Sequence, residues 1–157
     1  MRISLVCIGK TDDSELKALI DKFERRLKHY IPFRIVLLPD VKSGKSLRMD
    51  EQRAKEAELI NKQVTAGDWL ILLDEHGKEY RSVEFAEQLN KWMINSTQHV
   101  VFVVGGPYGF DKSVYKQAKG KLSLSKMTFS HQMVRLFFVE QLYRAFTILK
   151  QEPYHHE

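Results

Sequence analysis

The segment HVVFVVGGPYGF, residues 99–110, joins a continuous apolar run to a turn with three glycines. An apolar run without polar alternation is typical of a strand in a parallel sheet whose two faces are both covered by helices. Gly105, Gly106 and Gly109 give the backbone unusual freedom and let a ligand approach the main chain closely. The segment therefore predicts a buried parallel strand that ends at a candidate ligand-binding loop.

Outward from this segment, short β-rich runs alternate with helical patterns in both directions. Strands are predicted over residues 2–8, 33–38, 69–73 and 99–104, with a short fifth near residue 122. Helices are predicted from residues 12–14 to 27, from about 49 to 64, from 82 to 93, and from 131 onward. This order predicts the α/β class, a parallel sheet with helices on both faces. Because no repeat or long linker divides the chain, residues 1–157 are expected to form one domain.

Composition excludes several classes of protein. Of the 157 residues, 43% are hydrophobic and 29% are charged, which is typical of globular proteins rather than disordered or fibrous ones. The single cysteine, Cys7, is predicted to be a buried strand residue without a disulfide partner, as in a reducing compartment. No apolar run approaches the length of a membrane span, and the N-terminus resembles a strand more than a signal sequence. We therefore expect a cytoplasmic protein with no membrane partner.

The net charge of +5 favours approach to a polyanion. The basic residues concentrate in two clusters, neither of which has the interleaved aromatic residues of a base-stacking platform. One cluster surrounds Arg25 and Arg26, and the other contains Lys42, Lys45, Arg48 and Arg53. Both clusters are candidates for contacts with phosphate groups.

Ligands of open parallel sheets bind beyond the carboxyl ends of the strands. This rule selects three loops, LLDEHGKE (72–79), VVGGPYGFD (103–111) and LSLSKMTF (122–129). A Gly-Lys-Ser sequence at 44–46 suggests a phosphate loop, but Pro39 stands where that motif requires its first glycine, so nucleotide triphosphate binding is disfavoured. The histidines at 155 and 156 have no cysteine nearby and no helical pairing, so no metal site is expected.

The final helix carries charges on an otherwise apolar surface. His131 and Arg135 form one i, i+4 pair, and Glu140 and Arg144 form another. An outer helix of one domain can bury only one stripe, so this helix predicts packing against a second copy in a homodimer. The charged pairs either point into clefts at that interface or are salt bridges at the edge of an apolar helix.

Several segments, in this order and at this spacing, are similar to the SPOUT-class methyltransferases that modify N3 of a pseudouridine in large-subunit (23S) ribosomal RNA. They are VVGGPYGF, LSLSKMTFSHQMVR, EQLYRAF and the ending PYHHE. The loop LLDEHGKE and the start MRISLVCIGK agree as well, so the resemblance covers the whole chain. One departure is Ser130, where this family often has proline.

The resemblance implies a C-terminal trefoil knot, S-adenosylmethionine as methyl donor, an obligate homodimer and a substrate in the assembled ribosome. It carries the cofactor contacts of the family over to eight positions of this chain. These are Leu73, Gly105, Leu124, Ser125, Lys126, Met127, Thr128 and Phe129. No metal is implied, because a sulfonium is already an activated leaving group.

Catalytic roles follow from the resemblance and from residue chemistry. His131 or His155 is the candidate for removing the N3 proton, and Arg135 or Arg144 is the candidate for stabilising the resulting anion. Glu140 is expected to orient an arginine, and Tyr154 to line the pocket for the base. The alternatives are a non-catalytic ribosome-associated RNA-binding factor on the same scaffold and a small-molecule methyltransferase.

Overall fold

The computed structural model describes residues 1–41 and 47–156, which form five strands and five helices in alternation. The strands are β1 (Arg2–Ile8), β2 (Phe33–Leu38), β3 (Trp69–Glu79), β4 (His99–Val104) and β5 (Gly120–Ser123). The helices are α1 (Ser14–Leu27), α2 (Met49–Asn61), α3 (Ser82–Ile94), α4 (Lys112–Gln117) and α5 (His131–Leu149). All five strands pair in parallel in the order β2-β1-β4-β3-β5, which confirms the α/β prediction.

Strand order does not describe how a chain is threaded, so the trefoil knot stays a prediction. The Gly-Lys-Ser sequence at 44–46 and the cluster residues Lys42 and Lys45 lie outside the described residues. Burial of Cys7 in β1 is confirmed, and this burial raises the pKa of its thiol to about 12.

Strand β4 is buried along its whole length at the centre of the sheet. Its side chains alternate between two cores, as the pleat of a strand requires. Phe102 and its same-face neighbours pack with Leu89 of α3 and Leu142 of α5. Val101 and Val103 pack on the other face with Ile60 of α2 and with α4. The apolar run thus has the two-sided cover that the sequence predicted.

Helix α5 is covered more completely within one chain than the sequence suggested. It packs against α1 and α3, and its residues Phe138, Val139, Leu142, Ala145 and Phe146 are buried in the core of the same chain. The exposed apolar stripe is narrower, with Met133 at 36% and Phe137 at 38% exposure. The homodimer therefore stays a prediction that rests on this stripe rather than on the whole helix.

A buried histidine joins the amino ends of β1 and β4. His99 is 3% exposed, and its Nδ1 lies 2.9 Å from Oδ1 of Asp68 while its Nε2 lies 2.9 Å from Oγ of Ser4. The arrangement resembles a serine nucleophile relay, but Ser4 is itself buried and accepts a further hydrogen bond from Nε of Arg34. The network therefore holds strands together and has no access to a substrate.

Acidification should destabilise the fold through His99. Burial lowers the pKa of this imidazole and nearby Arg2 and Arg34 act in the same direction, although Asp68 opposes them. A base whose pKa is lower in the folded state binds fewer protons there, so the stability it provides above its unfolded pKa is lost as pH falls below about 6.5. We expect the melting temperature to fall between pH 7.5 and 5, and His99→Gln to remove most of that fall.

The matched control is His29→Gln, because His29 is exposed and should leave the pH dependence of the wild type unchanged. An equal loss of melting temperature on acidification in wild type and in His99→Gln would contradict this assignment.

Candidate functional site

A cavity of about 620 Å³ opens at the carboxyl ends of β4 and β5 and beside the middle of β3, after Leu73. Its walls come from the three loops that the sequence predicted, from the first turns of α5, and from Met49 of α2 and Tyr115 of α4. The volume falls within the usual range of small-molecule sites. The position beyond the carboxyl ends of parallel strands is the one expected for a ligand.

The first wall is a short loop that interrupts β3. Leu73 and Lys78 both pair with Leu122 of β5, so residues 74–77 loop out while the strand resumes behind them. A side chain at Gly77 would place its Cβ 2.7 Å from the main chain of Leu122, so glycine alone fits here. The predicted loop is therefore an interruption within β3 rather than its end, because Gly77 lets the two strands stay in contact.

The second wall is the glycine turn after β4. The N–H of Gly109 donates to the carbonyl oxygen of Gly106 at 3.2 Å, and Gly109 has a φ of 75°, in the left-handed region that favours glycine. A Cβ on Gly105 would lie 3.1 Å from the ring of Phe110. The turn is thus tight, and its main chain is held against side chains from its own segment.

The third wall, residues 124–129, is fixed by side-chain hydrogen bonds. Oγ of Ser125 accepts from the N–H of Met127 at 3.0 Å, and Thr128 donates to Oε2 of Glu75 at 2.8 Å, which ties this loop to the first wall. Ser130 follows and caps α5 by accepting from the N–H of Met133 at 3.2 Å. Ser130 therefore stabilises the start of the helix with its own side chain.

The polar walls of the cavity are acidic. Burial opposes ionisation of Asp74, but hydrogen bonds from Tyr115 at 2.5 Å and from the N–H of His76, together with nearby Lys121, hold the pKa of the carboxyl below its usual value. Burial and Asp74 raise the pKa of Tyr115 to about 12. Within the described part of the chain, no lysine or arginine lines the cavity. A cationic ligand is therefore favoured over a phosphate.

Most of the residues that the resemblance implies for the cofactor converge on this cavity. Those that line it are Leu73, Gly105, Leu124, Ser125, Met127, Thr128 and Phe129. Lys126 is exposed and is not among the lining residues. His131, a candidate base, lies in the cavity wall at the start of α5.

The remaining catalytic candidates, except Arg135, form a second group at the other end of α5. Oε1 of Glu140 accepts from Nη2 of Arg144 at 2.6 Å, from Nε of Arg144 at 3.1 Å and from the hydroxyl of Tyr154 at 3.0 Å. Nη1 of Arg144 lies 3.4 Å from Nδ1 of His155. The salt bridge that was one of the two alternatives for this i, i+4 pair is present, and we call Glu140, Arg144, Tyr154 and His155 the tail cluster. None of them lines the cavity.

Helix geometry separates the two groups. The 13 residues from His131 to Arg144 correspond to roughly 20 Å along an α-helix at about 1.5 Å per residue. Within one chain, Arg144 and His131 are therefore too far apart along the helix to contact the same reacting atom.

Arg135 lies in the interior rather than at either group, with only 2% of its surface exposed. Its Nη2 donates to the carbonyl oxygen of Ile8 at 2.7 Å, and its Nη1 donates to that of Gly9 at 3.0 Å and to Oγ1 of Thr11 at 3.1 Å. The guanidinium thus binds the loop after β1 to α5.

Sequence reasoning did not single out Asp74, Glu75 or Tyr115. The two acids stand within a loop that the sheet rule selected, so a search for charge in the three loops could have found them. Tyr115 lies 41 residues away on α4, and no local pattern indicates its bond to Asp74.

Among residues 1–41 and 47–156, no three or more histidine, cysteine or acidic side chains are grouped so as to hold a metal ion. In the same ranges, no helix combines the length and apolar character needed to span a membrane.

Comparison with known proteins gives one consistent match. The sequence pattern of a family described as "Predicted SPOUT methyltransferase" matches residues 1–155. The chain is 58% identical over 156 residues to "Ribosomal RNA large subunit methyltransferase H" of Christiangramia forsetii, with 99% of each chain covered. The proteins of the same name are 56% identical in Flavobacterium johnsoniae and 50% identical in Bacteroides fragilis, with 100% of each chain covered.

A solved structure from Haemophilus influenzae, "a probable methylase family protein", has the same fold with a TM-score of 0.53. The match covers 99% of this chain and 70% of that chain at 16% identity. At that identity the likeness concerns the fold alone.

Proposed function

The chain belongs to the SPOUT methyltransferase family, and on this premise we propose that it transfers a methyl group from S-adenosylmethionine to N3 of a pseudouridine in large-subunit ribosomal RNA. The observation that carries the proposal is the acidic cavity, built by the segments that resemble the family's cofactor loops. Relatives named as ribosomal RNA methyltransferases over their full length support the RNA substrate. A ribosomal substrate also accounts for the expected cytoplasmic location.

The cavity suits the proposed donor in charge and in shape. S-adenosylmethionine carries a sulfonium and an ammonium group, which ionised Asp74 and neighbouring Glu75 attract. Main-chain groups of the glycine turn can read the adenine edge, while Leu124, Met127 and Phe129 can enclose its faces. Met127 is 74% exposed at the rim, so a ligand would cover apolar surface that is now open to water.

We propose that a homodimer completes the active site. The exposed stripe of α5 at Met133 and Phe137 is the surface for the second copy, and the ring of Phe129 lies 4.9 Å from that of Phe137, tilted by 40°. Because Arg144 of one chain lies about 20 Å along α5 from its own His131, the arginine and the cavity histidine would meet at one substrate across such an interface.

The reaction requires removal of the N3 proton and stabilisation of the anion that results. The donor, when bound, supplies an activated methyl group. His131 in the cavity wall or His155 in the tail cluster would remove the proton. Arg144 would stabilise the anion while Glu140 holds its guanidinium. Arg135, the other candidate, is already engaged with main-chain carbonyl groups.

Tyr154 would line the pocket for the base. The guanidinium of Arg144 lies 4.7 Å from the centre of its ring, so a flat stacking surface stands beside the cation. Burial and the carboxylate of Glu140 raise the pKa of Tyr154, which keeps the phenol neutral and able to donate to that carboxylate.

RNA contacts would extend from the tail cluster to the first basic cluster. The ring of Tyr143 lies 4.8 Å from that of Tyr154, and the guanidinium of Arg26 lies 5.8 Å from the ring of Tyr143. Arg25 and Arg48 are exposed. Phosphate binding by Arg25 and Arg26 would bring the substrate in on the side where the tail cluster lies, whereas Arg48 is next to Met49 in the cavity wall.

The proposed donor can be tested by calorimetry. Wild-type protein should bind S-adenosylmethionine, and Asp74→Asn should weaken that binding by about tenfold through loss of one nearby negative charge. Glu79→Gln removes an equal charge from an exposed part of β3 and should leave the affinity unchanged. Mass spectrometry of ribosomal RNA from treated ribosomes should then locate one new methyl group on N3 of a pseudouridine.

A wild-type protein that fails to bind S-adenosylmethionine would contradict the proposed function and favour the non-catalytic ribosome-associated factor. Equal affinities for wild type and Asp74→Asn would contradict the electrostatic argument alone. Methylation of a free nucleoside at the ribosomal rate would favour a small-molecule enzyme.

Single-turnover kinetics can identify the base. If histidine removes the N3 proton, either His131→Ala or His155→Ala should slow the chemical step by about 10²-fold or more. His156→Ala, next to one of the candidates in the chain, is the control and should retain the wild-type rate. Losses of tenfold or less in both variants would exclude histidine from this role.

A further inference from the structure

Helix α2 carries a buried carboxyl group directly behind the glycine turn. Glu56 is 3% exposed, and its Oε1 accepts from Nε2 of Gln52 at 3.1 Å. A Cβ built on Gly106 would stand 2.5 Å from Oε1 and 2.7 Å from Oε2 of Glu56. The carboxyl group thus occupies the space that any side chain at position 106 would need, and the main chain of the turn rests on it.

The neighbouring glycine is supported by a different side chain. The ring of Phe110 lies 3.1 Å from the place of a Cβ on Gly105, and the Gly106 carbonyl is bound by the N–H of Gly109. Successive glycines of one turn are therefore held by an aromatic ring and by a carboxyl group. Because Gly105 and Gly106 both line the cavity, this support sets where the cavity wall stands.

Burial of a carboxyl group is energetically less favourable than burial of an apolar side chain. Burial raises the pKa of Glu56 and Asp40 acts in the same direction, although the bond from Gln52 opposes them. An apolar side chain of similar size could fill the gap between α2 and the sheet without desolvating a carboxyl group. The planar carboxyl group, however, fits closely against the main chain of a glycine. A branched apolar side chain would displace that main chain.

We propose that Glu56 is a positioning residue for the methyl-donor cavity, and that its carboxyl group fixes the Gly105–Gly106 main chain in the position that binds the ligand. Glu56 itself does not line the cavity, so it acts through the turn and not on the donor. The identity of the donor rests on the proposed function, whereas the contact between Glu56 and Gly106 does not.

A double-mutant cycle tests this contact with S-adenosylmethionine affinity as the readout. Gly106→Ala should weaken binding by about tenfold or more, since its methyl group collides with a carboxyl group that is buried and has little room to move, so the turn shifts. Glu56→Ala should also weaken binding, because the turn loses its support. The double variant should bind more tightly than Gly106→Ala alone, since the new methyl group enters the space that Glu56 vacates.

Two controls separate positioning from general destabilisation. Glu58→Ala changes an exposed acid on the same helix and should alter neither affinity nor melting temperature. Glu56→Gln keeps the shape of the side chain, so it should retain affinity within about threefold, and in combination with Gly106→Ala it should give no recovery. Glu56→Ala should raise the KM for the donor while leaving the single-turnover rate at saturation nearly unchanged.

Additive losses in the double variant would overturn the proposal. If the wild type bound no S-adenosylmethionine, the proposed function would fail, and hydrogen–deuterium exchange of residues 105–110 would decide the inference instead. Exchange there should be faster in Gly106→Ala and return toward wild type in the double variant. Equal exchange rates in Gly106→Ala and in the double variant would overturn the inference.

Discussion

The packing of α5 is the constraint on which the arrangement of the polar residues depends. Its apolar side is enclosed with α1 and α3 over the sheet, and the Arg135 guanidinium ties its first half to the carbonyl groups of Ile8 and Gly9. Because α5 is one continuous helix that is packed along its length, its two ends stay apart. His131 therefore stays at the cavity and the tail cluster stays at the far end, and on our proposal a second copy brings the two kinds of group together.

The parallel sheet supplies the other half of the site. Three loops meet at one edge because all five strands run in the same direction, and each loop is held by contacts that are not local. At position 77 only glycine fits beside the main chain of Leu122. Thr128 donates a hydrogen bond to Glu75, and the main chain of Gly106 packs against the carboxyl group of Glu56. The cavity walls are thus rigid where a ligand would need main-chain groups in fixed positions, and their acidic character selects for a cation.

The sequence predicted those features that depend on local patterns. The apolar run of β4, the helix periodicity and the position of the three loops all follow from spacing, and the structure confirms them. What could not be predicted depends on partners far away in the chain. The i, i+4 rule places Arg135 beside His131, but carbonyl groups more than 120 residues away draw its side chain inward. Resumption of β3 after Gly77 and burial of Glu56 depend in the same way on β5 and on the turn after β4.

Mixed dimers test most directly whether two chains share one active site. Leu124→Arg blocks the cavity of its own chain, and Arg144→Ala disrupts its tail cluster, so each variant alone should be nearly inactive. After the two are denatured together and refolded, shared sites predict a recovery to roughly a quarter of wild-type activity, because about half of the dimers are mixed and each has one intact site. A mixture that stays as inactive as its components would show that each chain works alone and would contradict the account.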